Sequence, residues 1–265
     1  VVGSNTDGWQ YGALIADSVV FTSSQDTPTA GWWKGITHYN YSGDGTNRIV
    51  NSVVRYGGGN GLGNIYYTNS KGVVRGTIVS HSSKAGIYLT SSSDMEIVQD
   101  TITNNGGDGI KFTTSSTVND PPAIRENVLD TNSGYAMVVY ADDVSETLSN
   151  NRAGASHDTR GIRVVGEVVG VVDINMTRKW RNNNNVPYYV SGVVDIRDVG
   201  GSGSGANTMT MEVETGVVVK FESGGEIVVG SNTDAWQYGA LIADSVVFTS
   251  SQDTPTAGWW KGITF

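Results

Sequence analysis

The sequence VVGSNTDGWQYGALIADSVVFTSSQDTPTAGWWKGITH occupies residues 1–38, and residues 228–265 repeat it as VVGSNTDAWQYGALIADSVVFTSSQDTPTAGWWKGITF. The two segments lie 227 residues apart and differ only at Gly8/Ala235 and His38/Phe265. A tandem array cut at an arbitrary point contains one full period and the start of the next. The duplication therefore predicts one full repeat at residues 1–227 and the start of a near-identical repeat at residues 228–265. A terminal duplication of engineered or accidental origin is the alternative.

The composition is typical of short strands joined by tight turns. The chain of 265 residues contains 35 Gly, and only 16% of its residues are charged. Runs such as DSVVFT (17–22) and GVVVKF (216–221) are β-branched and bounded by turn-forming residues. No convincing amphipathic helix interrupts them, so we predict an all-β fold.

A shorter period runs between the two copies. A Gly or Asn that precedes an apolar strand pattern recurs in steps of 29, 22, 23, 25 and 27 residues, at Gly35, Asn64, Gly86, Gly109, Gly134 and Gly161. A second apolar series pairs Val50 with Val54, Val74 with Ile78, Val98 with Ile102 and Ile124 with Val128. This regular return, with alternation inside each strand, predicts a parallel β-solenoid whose turns of about 22–27 residues stack on one another.

The same pattern predicts the direction of individual side chains. Tyr66, Tyr88, Lys111 and Arg163 are expected to face outward on one side, and stacked Asn turns are expected to share amide ladders. The second series expects an inward residue at Arg152, which would require a shifted register or a splayed turn. Polar residues 39–47 and the Gly/Ser-rich residues 199–207 predict two bulging loops, with an interdomain linker as the alternative for the second.

Several segments resemble large bacterial surface proteins built as right-handed parallel β-helices. They are SVVRYGG (52–58), PYYV (187–190), MTMEVETGVVVKF (209–221), GEIVV (225–229), GALIAD (239–244), VVFTS (246–250) and GWWKGI (258–263). The resemblance covers nearly the whole period and implies a right-handed fold and an extracellular or cell-surface location. It does not specify a function, because pectin-active enzymes, tailspikes and adhesins share this architecture.

Enzymes of this fold cleave acidic polysaccharides with clustered Asp residues. The sequence NTDG (5–8) resembles one polygalacturonase signature, and Asp142 and Asp143 form a pair, but no Gly-His-Gly or Arg-Ile-Lys accompanies them. His38 is replaced by Phe265 in the second copy, which suits a stacked or partly buried ring. His81 and His157 have no carboxylate or Ser partner nearby in the sequence. We predict no catalytic residue and keep a polysaccharide hydrolase or lyase as an alternative.

The sequence offers a few candidate residues for ligand or metal binding, and each has a structural interpretation as well. Trp9, Trp32, Trp33 and Tyr66 are candidates for ligand-stacking aromatics, and cross-turn packing is the other interpretation of the tryptophans. Ca²⁺ is the one metal to consider, at Asp44 near Asn47 or at Asp108, although each is also an ordinary polar turn. No resident cofactor is predicted.

Charge and hydropathy exclude several classes of partner. The net charge is −9 with a pI near 4.7, and the basic residues are dispersed, so no nucleic-acid partner is expected. No run of about 20 apolar residues exists, so no membrane span is expected. The absence of Cys excludes disulfides and thiolate metal sites.

These observations predict a structural protein, the repeat unit of an extracellular fibre or cell-surface filament. Both ends read as uncapped strand sequence, so we expect the partner to be the protein itself, through neighbouring covalent repeats or head-to-tail subunits. About 9 or 10 turns would give a repeat of about 45 Å. A polysaccharide-binding adhesin is a further alternative, and Ile242 is predicted to face the core at the joint.

Overall fold

The structure is a computed structural model that describes residues 1–3, 12–39, 46–90, 95–113, 122–144, 148–154, 161–170, 176–198, 207–231 and 237–265. The predicted loop at residues 199–206 and most of the insertion at residues 40–45 lie outside these ranges. The described residues form parallel β-strands, with one short 3₁₀ helix, Ala141–Asp143, and no α-helix.

The strands form five parallel sheets, each of which follows the axis from turn to turn. Sheet I is β1 (Ile15–Asp17), β4 (Arg48–Val50), β7 (Gly72–Arg75), β10 (Met95–Val98), β13 (Ala123–Arg125) and β16 (Leu148–Ser149). Sheet II is β2 (Val20–Phe21), β5 (Val53–Arg55), β8 (Ile78–Ser80), β11 (Thr101–Thr103), β14 (Val128–Asp130) and β17 (Arg152–Ala153).

Sheet III runs through the whole structure as β3 (Ile36–His38), β6 (Gly63–Thr68), β9 (Ala85–Thr90), β12 (Ile110–Phe112), β15 (Met137–Tyr140), β18 (Ile162–Val165), β21 (Tyr188–Val190), β24 (Val218–Phe221) and β27 (Val247–Ser250). Sheet IV is β19 (Val168–Gly170), β22 (Val193–Asp198), β25 (Glu226–Val229) and β28 (Gly262–Thr264). Sheet V is β20 (Met176–Trp180), β23 (Thr208–Val213) and β26 (Tyr238–Ala243).

Consecutive strands within each sheet are three strands apart in the chain. The protein is therefore a solenoid, as predicted, and its turns contain three strands. Inward side chains of successive turns stack in register, for example Ile65, Ile87 and Ile110 of sheet III, all of which are fully buried. Stacked parallel strands that share one continuous core remove a large apolar surface from water. Closing the loops between these strands costs little conformational entropy. The core therefore extends along the axis instead of forming a sphere.

The register of one turn differs from the prediction. Ile110 pairs with Met137, which pairs with Ile162, so the steps are 27 and 25 residues and Ala136, not Gly134, takes the place of Gly109. Gly134 lies in the corner before the strand, where its N–H donates to the carbonyl of Gly107.

The second apolar series mixes two faces of the strands. Val74 and Ile124 face inward, but Val98 pairs with Arg75 in the outward row. Arg152 pairs with Val128 and is exposed, while its neighbour Ala153 continues the inward row. The turn at residue 152 therefore needs neither a shifted register nor splaying. Where Val or Ile occupies both faces of a strand, apolar and polar residues no longer alternate. The sequence then does not show which residues face inward.

A polar ladder fills the corner between sheets I and II. Each corner residue accepts a hydrogen bond from the main-chain N–H one turn earlier: Val19 to Ser52, Ser52 to Thr77, Thr77 to Asp100, Asp100 to Asn127, Asn127 to Asn151 and Asn151 to Asn183. The predicted Asn ladder is present at the next corner, where the Asn105 amide donates to Asn132 at 2.8 Å. These side chains satisfy buried backbone groups wherever the chain leaves a strand.

Candidate functional site: the duplicated turn

In their described residues, the two copies of the duplicated turn, residues 1–38 and 228–265, share local contacts. In the first copy, the Gln25 side chain accepts hydrogen bonds from the Thr29 N–H at 3.0 Å and the Thr29 hydroxyl at 2.8 Å. In the second copy, Gln252 accepts the same two bonds from Thr256 at the same distances. The end of the turn also pairs identically, since Val2 bridges His38 and Val228 pairs with Thr264. The sequence of this turn therefore fixes its conformation.

The two copies differ in which neighbouring turn their strands pair with. Strands β1, β2 and β3 of the first copy pair with the following turn, β4, β5 and β6. Their equivalents β26, β27 and β28 in the second copy pair with the preceding turn, β23, β24 and β25. One copy thus displays the contacts of the duplicated turn on its forward side, and the other displays those on its backward side.

The inward Phe of the duplicated turn pairs with a Val of the neighbouring turn in both copies. Phe21 pairs with Val54 of the following turn, and its equivalent Phe248 pairs with Val219 of the preceding turn. Both Phe side chains pack on the apolar core but stay partly exposed, whereas Val54 and Val219 are fully buried. A turn that is covered on both sides would bury this Phe between two Val side chains.

The two adjacent tryptophans of the duplicated turn donate hydrogen bonds to neighbouring turns. Trp33 Nε1 donates to the carbonyl of Arg55, in the following turn, at 2.8 Å. Trp259, the equivalent of Trp32, donates through Nε1 to the carbonyl of Phe221, in the preceding turn, at 3.2 Å. The two adjacent tryptophans therefore bond to opposite neighbouring turns, each in a different copy of the duplicated turn.

The prediction for Ile242 is wrong. Ile242 pairs with Glu212 in the outward row and is 55% exposed. Its neighbour Leu241 pairs with Met211, a fully buried core residue, and packs against the core. The inward residue of β26 is thus Leu241.

Comparison with known families agrees with this geometry. The family described as the right-handed β-helix region matches residues 29–169, more than half of the chain. The chain belongs to this family. No curated protein and no solved structure matches the chain. The fold is therefore a right-handed parallel β-helix, and the family contains enzymes as well as non-enzymes.

His38 of the β-helix has the stacked and buried ring that the His/Phe exchange predicted. It is fully buried in β3, and its ring stacks on Tyr67 with centroids 4.1 Å apart and planes 3° from parallel. Burial lowers the pKa of His38 to about 4, because the charged form loses its hydration. The ring is therefore neutral at pH 7 and packs as an apolar group.

The aromatic candidates do not form one platform in the described part of the β-helix. Trp32 and Trp33 lie in the loop before β3, and the Trp33 indole is tied to the following turn by its bond to Arg55. Tyr66 lies on the outer face of sheet III, with its ring 5.3 Å from that of Tyr88. Trp9 lies outside the described residues. A ligand-stacking role for these residues stays a prediction.

Tyr66 belongs to an outward row that follows sheet III from strand to strand. The row reads Thr37, Tyr66, Tyr88, Lys111, Val138, Arg163, Tyr189, Lys220 and Thr249. Cations lie over neighbouring rings, with Lys111 Nζ 5.4 Å from the Tyr88 centroid and Lys220 Nζ 5.5 Å from the Tyr189 centroid. Arg163 is also paired with Glu222 at 3.3 Å. The sequence predicted the outward direction of this row but not its cation–π pairs.

The remaining candidates are held in structural contacts where they are described. Asp142 is buried and pairs with Arg178 at 3.3 Å, and Asp108 accepts the Tyr135 N–H at 2.8 Å. His81 is exposed in a corner, with its ring 5.0 Å from that of Tyr56. NTDG (5–8), Asp44 and His157 lie outside the described residues. Within the described ranges, no three His, Asp or Glu side chains come together as a metal site, and no helix is long and apolar enough to span a membrane.

Proposed function

We propose that the chain is the repeat unit of a fibre or filament in which β-helical copies stack end to end. One observation carries the proposal: the same turn is paired on its forward side in one copy and on its backward side in the other. Superposing the two copies joins one repeat to the next with every strand of the turn paired. Covalent tandem repeats are the first form of this proposal, and head-to-tail association of separate chains is the second.

The joint has the chemistry of an ordinary solenoid turn. At the joint, Phe21 would lie between Val54 and Val219, and full burial of such a side chain contributes about 1.5–3 kcal/mol. The edges of three strands would also gain a partner, which removes the association hazard of an exposed parallel edge. Stacking of copies thus needs no special interface beyond the core of the fold.

The number of strands between the two copies gives the length that the proposed repeat would have. Each pair of equivalents, β1/β26, β2/β27 and β3/β28, is 25 described strands apart, so one repeat makes about eight turns. At ~4.8 Å per turn, the axial advance is about 40 Å instead of the expected 45 Å, because the chain makes fewer turns than predicted. Electron micrographs of the filament should show this axial period.

The denatured mass of the native polypeptide tests the proposal directly. Multiples of about 24 kDa, which is 28.1 kDa scaled by 227/265, are expected for covalent repeats. A mass near 28.1 kDa is expected for separate chains, which must then sediment as head-to-tail oligomers. A chain of that mass that stays monomeric at micromolar concentration would contradict both forms.

A pair of variants tests the register of the joint. Leu241→Asp places a carboxylate against the core, and we expect it to destabilise the last turn by about 2–4 kcal/mol and to weaken stacking. Ile242→Asp, one residue away in the outward row, is the matched control and should change stability by less than ~0.5 kcal/mol. Thermal unfolding and sedimentation measure both effects. Equal losses in the two variants would refute the register.

Binding of an acidic polysaccharide is the second candidate function. The observation that favours it is the outward row of tyrosines and cations on sheet III, on a chain whose net charge is −9. The neighbouring, tilted rings of Tyr66 and Tyr88 and the cations that follow them along the row suit a polyanionic sugar chain that runs along the axis. Titration with polygalacturonate should give binding that Lys111→Ala weakens and that a neutral glucan does not reproduce. Equal responses to both polymers would refute it.

We place this fibre outside the cell or on the cell surface. The resemblance of residues 52–58 and 187–263 to bacterial surface β-helices supports this location, and a chain without Cys is compatible with it. Protease treatment of intact source cells should remove the protein if it is exposed. Protection from protease until lysis would contradict the location.

A further inference from the structure

A groove runs along the corner between sheets II and III. One side of it is a column of four side chains from four successive turns, Tyr56, His81, Asn104 and Thr131. Pro28 and Ala30, from the first copy of the duplicated turn, also line it. Its volume is about 390 Å³, within the range of small-molecule sites. Neighbouring turns lie ~4.8 Å apart, so the column extends about 14 Å along the axis. We call this cavity the corner groove.

The four residues of the column share one backbone conformation. Each is the first residue after a strand of sheet II, and the φ angles along the column are 63°, 54°, 55° and 51°. The first residues after the strands of sheet I have the same left-handed conformation, for example Asn51, Gly76 and Asn150. The left-handed residue is therefore a requirement of both corners, and it places one side chain of the column at every turn.

Two side chains of the column are not those that this backbone favours. Gly and Asn adopt the left-handed region most readily, whereas bulky and β-branched residues rarely do. Tyr56 and Thr131 thus occupy positions where Gly or Asn would be less strained. Residues held in such conformations cluster at functional sites, which favours a role for these side chains in binding.

Two rings form the aromatic part of the corner groove. The ring centroids of Tyr56 and His81 lie 5.0 Å apart, with the planes inclined by 35°. Arg55 Cζ lies 5.6 Å from the Tyr56 centroid, and Arg55 Nε donates to the Thr22 hydroxyl at 3.2 Å, so the Tyr56 ring is held from the side of sheet II. Tyr56 is half-buried and His81 is exposed. Neighbouring rings that reach solvent suit stacking against the faces of sugar rings.

The rest of the corner groove is mostly polar and carries no fixed charge. Asn104, Thr131 and Ser133 are exposed, and Ser83 is half-buried. The hydroxyls of Thr131 and Thr103 pair at 2.7 Å, and Asn104 Nδ2 donates to the Thr103 hydroxyl at 3.2 Å. None of the described residues that line the groove is Asp, Glu, Lys or Arg. A neutral ligand with many hydroxyl or amide groups therefore matches the lining better than an ion does.

We propose that the corner groove binds a neutral sugar chain that carries acetamido groups. Sugar rings stack on Tyr56 and His81, and polar groups of the chain bond to Asn104. An acetamido group offers an amide to such side chains and a methyl group to the apolar surface of Pro28 and Ala30, which a hydroxyl group does not. The site is separate from the outward row of sheet III, whose cations suit a polyanion. It lies within one chain, so it does not depend on the stacking of copies.

Titration calorimetry of the 265-residue chain with N-acetylchitopentaose tests the site. Cellopentaose is the comparison ligand, because it has the same linear backbone without acetamido groups. We expect N-acetylchitopentaose to bind and cellopentaose to bind at least ~10-fold more weakly, since its hydroxyl groups cannot replace the amide and methyl contacts. Equal affinity for the two sugars, or no heat of binding for N-acetylchitopentaose at millimolar concentration, would overturn the inference.

Tyr56→Asn and His81→Asn separate binding from stability. Asn accepts the left-handed backbone, so each variant should keep a Tm close to that of the unchanged chain, but each loses a ring and should bind at least ~10-fold more weakly. His81 is exposed, so its variant gives a result even if Tyr56→Asn unfolds. Gln99→Asn is the matched control at the corner between sheets I and II, with a φ of 59°, and should leave binding unchanged. Full affinity in a folded ring variant, or an equal loss in Gln99→Asn, would overturn the inference.

Discussion

Replacing Asp100 by Asn should raise the stability of the protein above pH 7 and change it little near pH 4. Asp100 is 1% exposed and is the only carboxylate in the described ladder between sheets I and II. One of its oxygens accepts the Thr77 N–H at 2.7 Å, and the other has no hydrogen-bond partner among the described residues. In the following turns the second atom is an amide nitrogen, and Asn127 uses it to donate to the Ile97 carbonyl at 2.9 Å. An ionised Asp100 cannot make that bond.

The expected magnitude follows from the pKa. Burial raises the pKa of Asp100 to about 7, and the hydrogen bond from the Thr77 N–H opposes only part of this rise. An unfolded Asp has a pKa near 3.9, so the folded state binds more protons between pH ~4 and ~7 and loses stability as the pH rises through this window. Each pKa unit corresponds to about 1.4 kcal/mol, which gives a penalty of the order of 2–4 kcal/mol above pH 7.

Thermal unfolding followed by circular dichroism at pH 4, 6 and 8 measures this effect. We expect Asp100→Asn to raise the Tm at pH 8 by the order of 10 °C and to leave the Tm at pH 4 nearly unchanged. Asn127→Asp is the converse variant, and it should lower the Tm at pH 8 more than at pH 4. An equal shift of Tm at all three pH values would refute the reasoning, because the effect would not come from ionisation.

Three further predictions concern single side chains of the core and the joint. The folded pKa of His38 is about 4, so the protein loses up to about 3 kcal/mol of its free energy of unfolding as the pH falls from ~6.5 to ~4, and His38→Phe should abolish this loss. Urea unfolding at pH 4.5 and 7.5 measures it. A variant that is more stable at pH 7.5 alone would contradict the prediction. Trp33→Phe removes the hydrogen bond to Arg55 and should cost about 1–2 kcal/mol in thermal unfolding, with no cost expected if the bond is absent in solution. Gly161→Ala should cost more than ~2 kcal/mol, because its Cβ would collide with the Pro187 carbonyl, and a loss below ~0.5 kcal/mol would show that the backbone adapts.

The sequence alone determined the class of fold and the candidate site. A recurrent strand pattern separated by Gly and Asn turns can bury its apolar rows only by stacking turns, so the solenoid follows from composition and period. The duplication predicts where one repeat would meet the next. The exchange of His38 for Phe265 predicts a stacked or partly buried ring, and the contact of His38 with Tyr67 agrees with this prediction.

The sequence could not determine the phase of several strands. Gly134 looked like the start of a strand but belongs to a corner, and Ile242 looked inward although Leu241 is the core residue. The error at Ile242 arises because apolar residues occupy both faces of β26, where a shift of one residue exchanges the faces. The error at Gly134 is a shift of two residues along the strand, which keeps the faces but misplaces the end of the corner. Only pairing with the neighbouring turns selects the inward row.

Among the described strands, the replacement of sheets I and II by sheets IV and V after β17 is a property of the tertiary structure alone. It depends on Asn183 lying over Asn151, 32 residues earlier in the chain, and on β21 pairing with β18 while β19 and β20 start new sheets. No local pattern records which strand a corner stacks upon, because a small polar residue of similar hydrogen-bonding capacity occurs at this corner in every turn. The sequence therefore determines that turns stack, and the contacts between distant turns decide which sheet each strand joins.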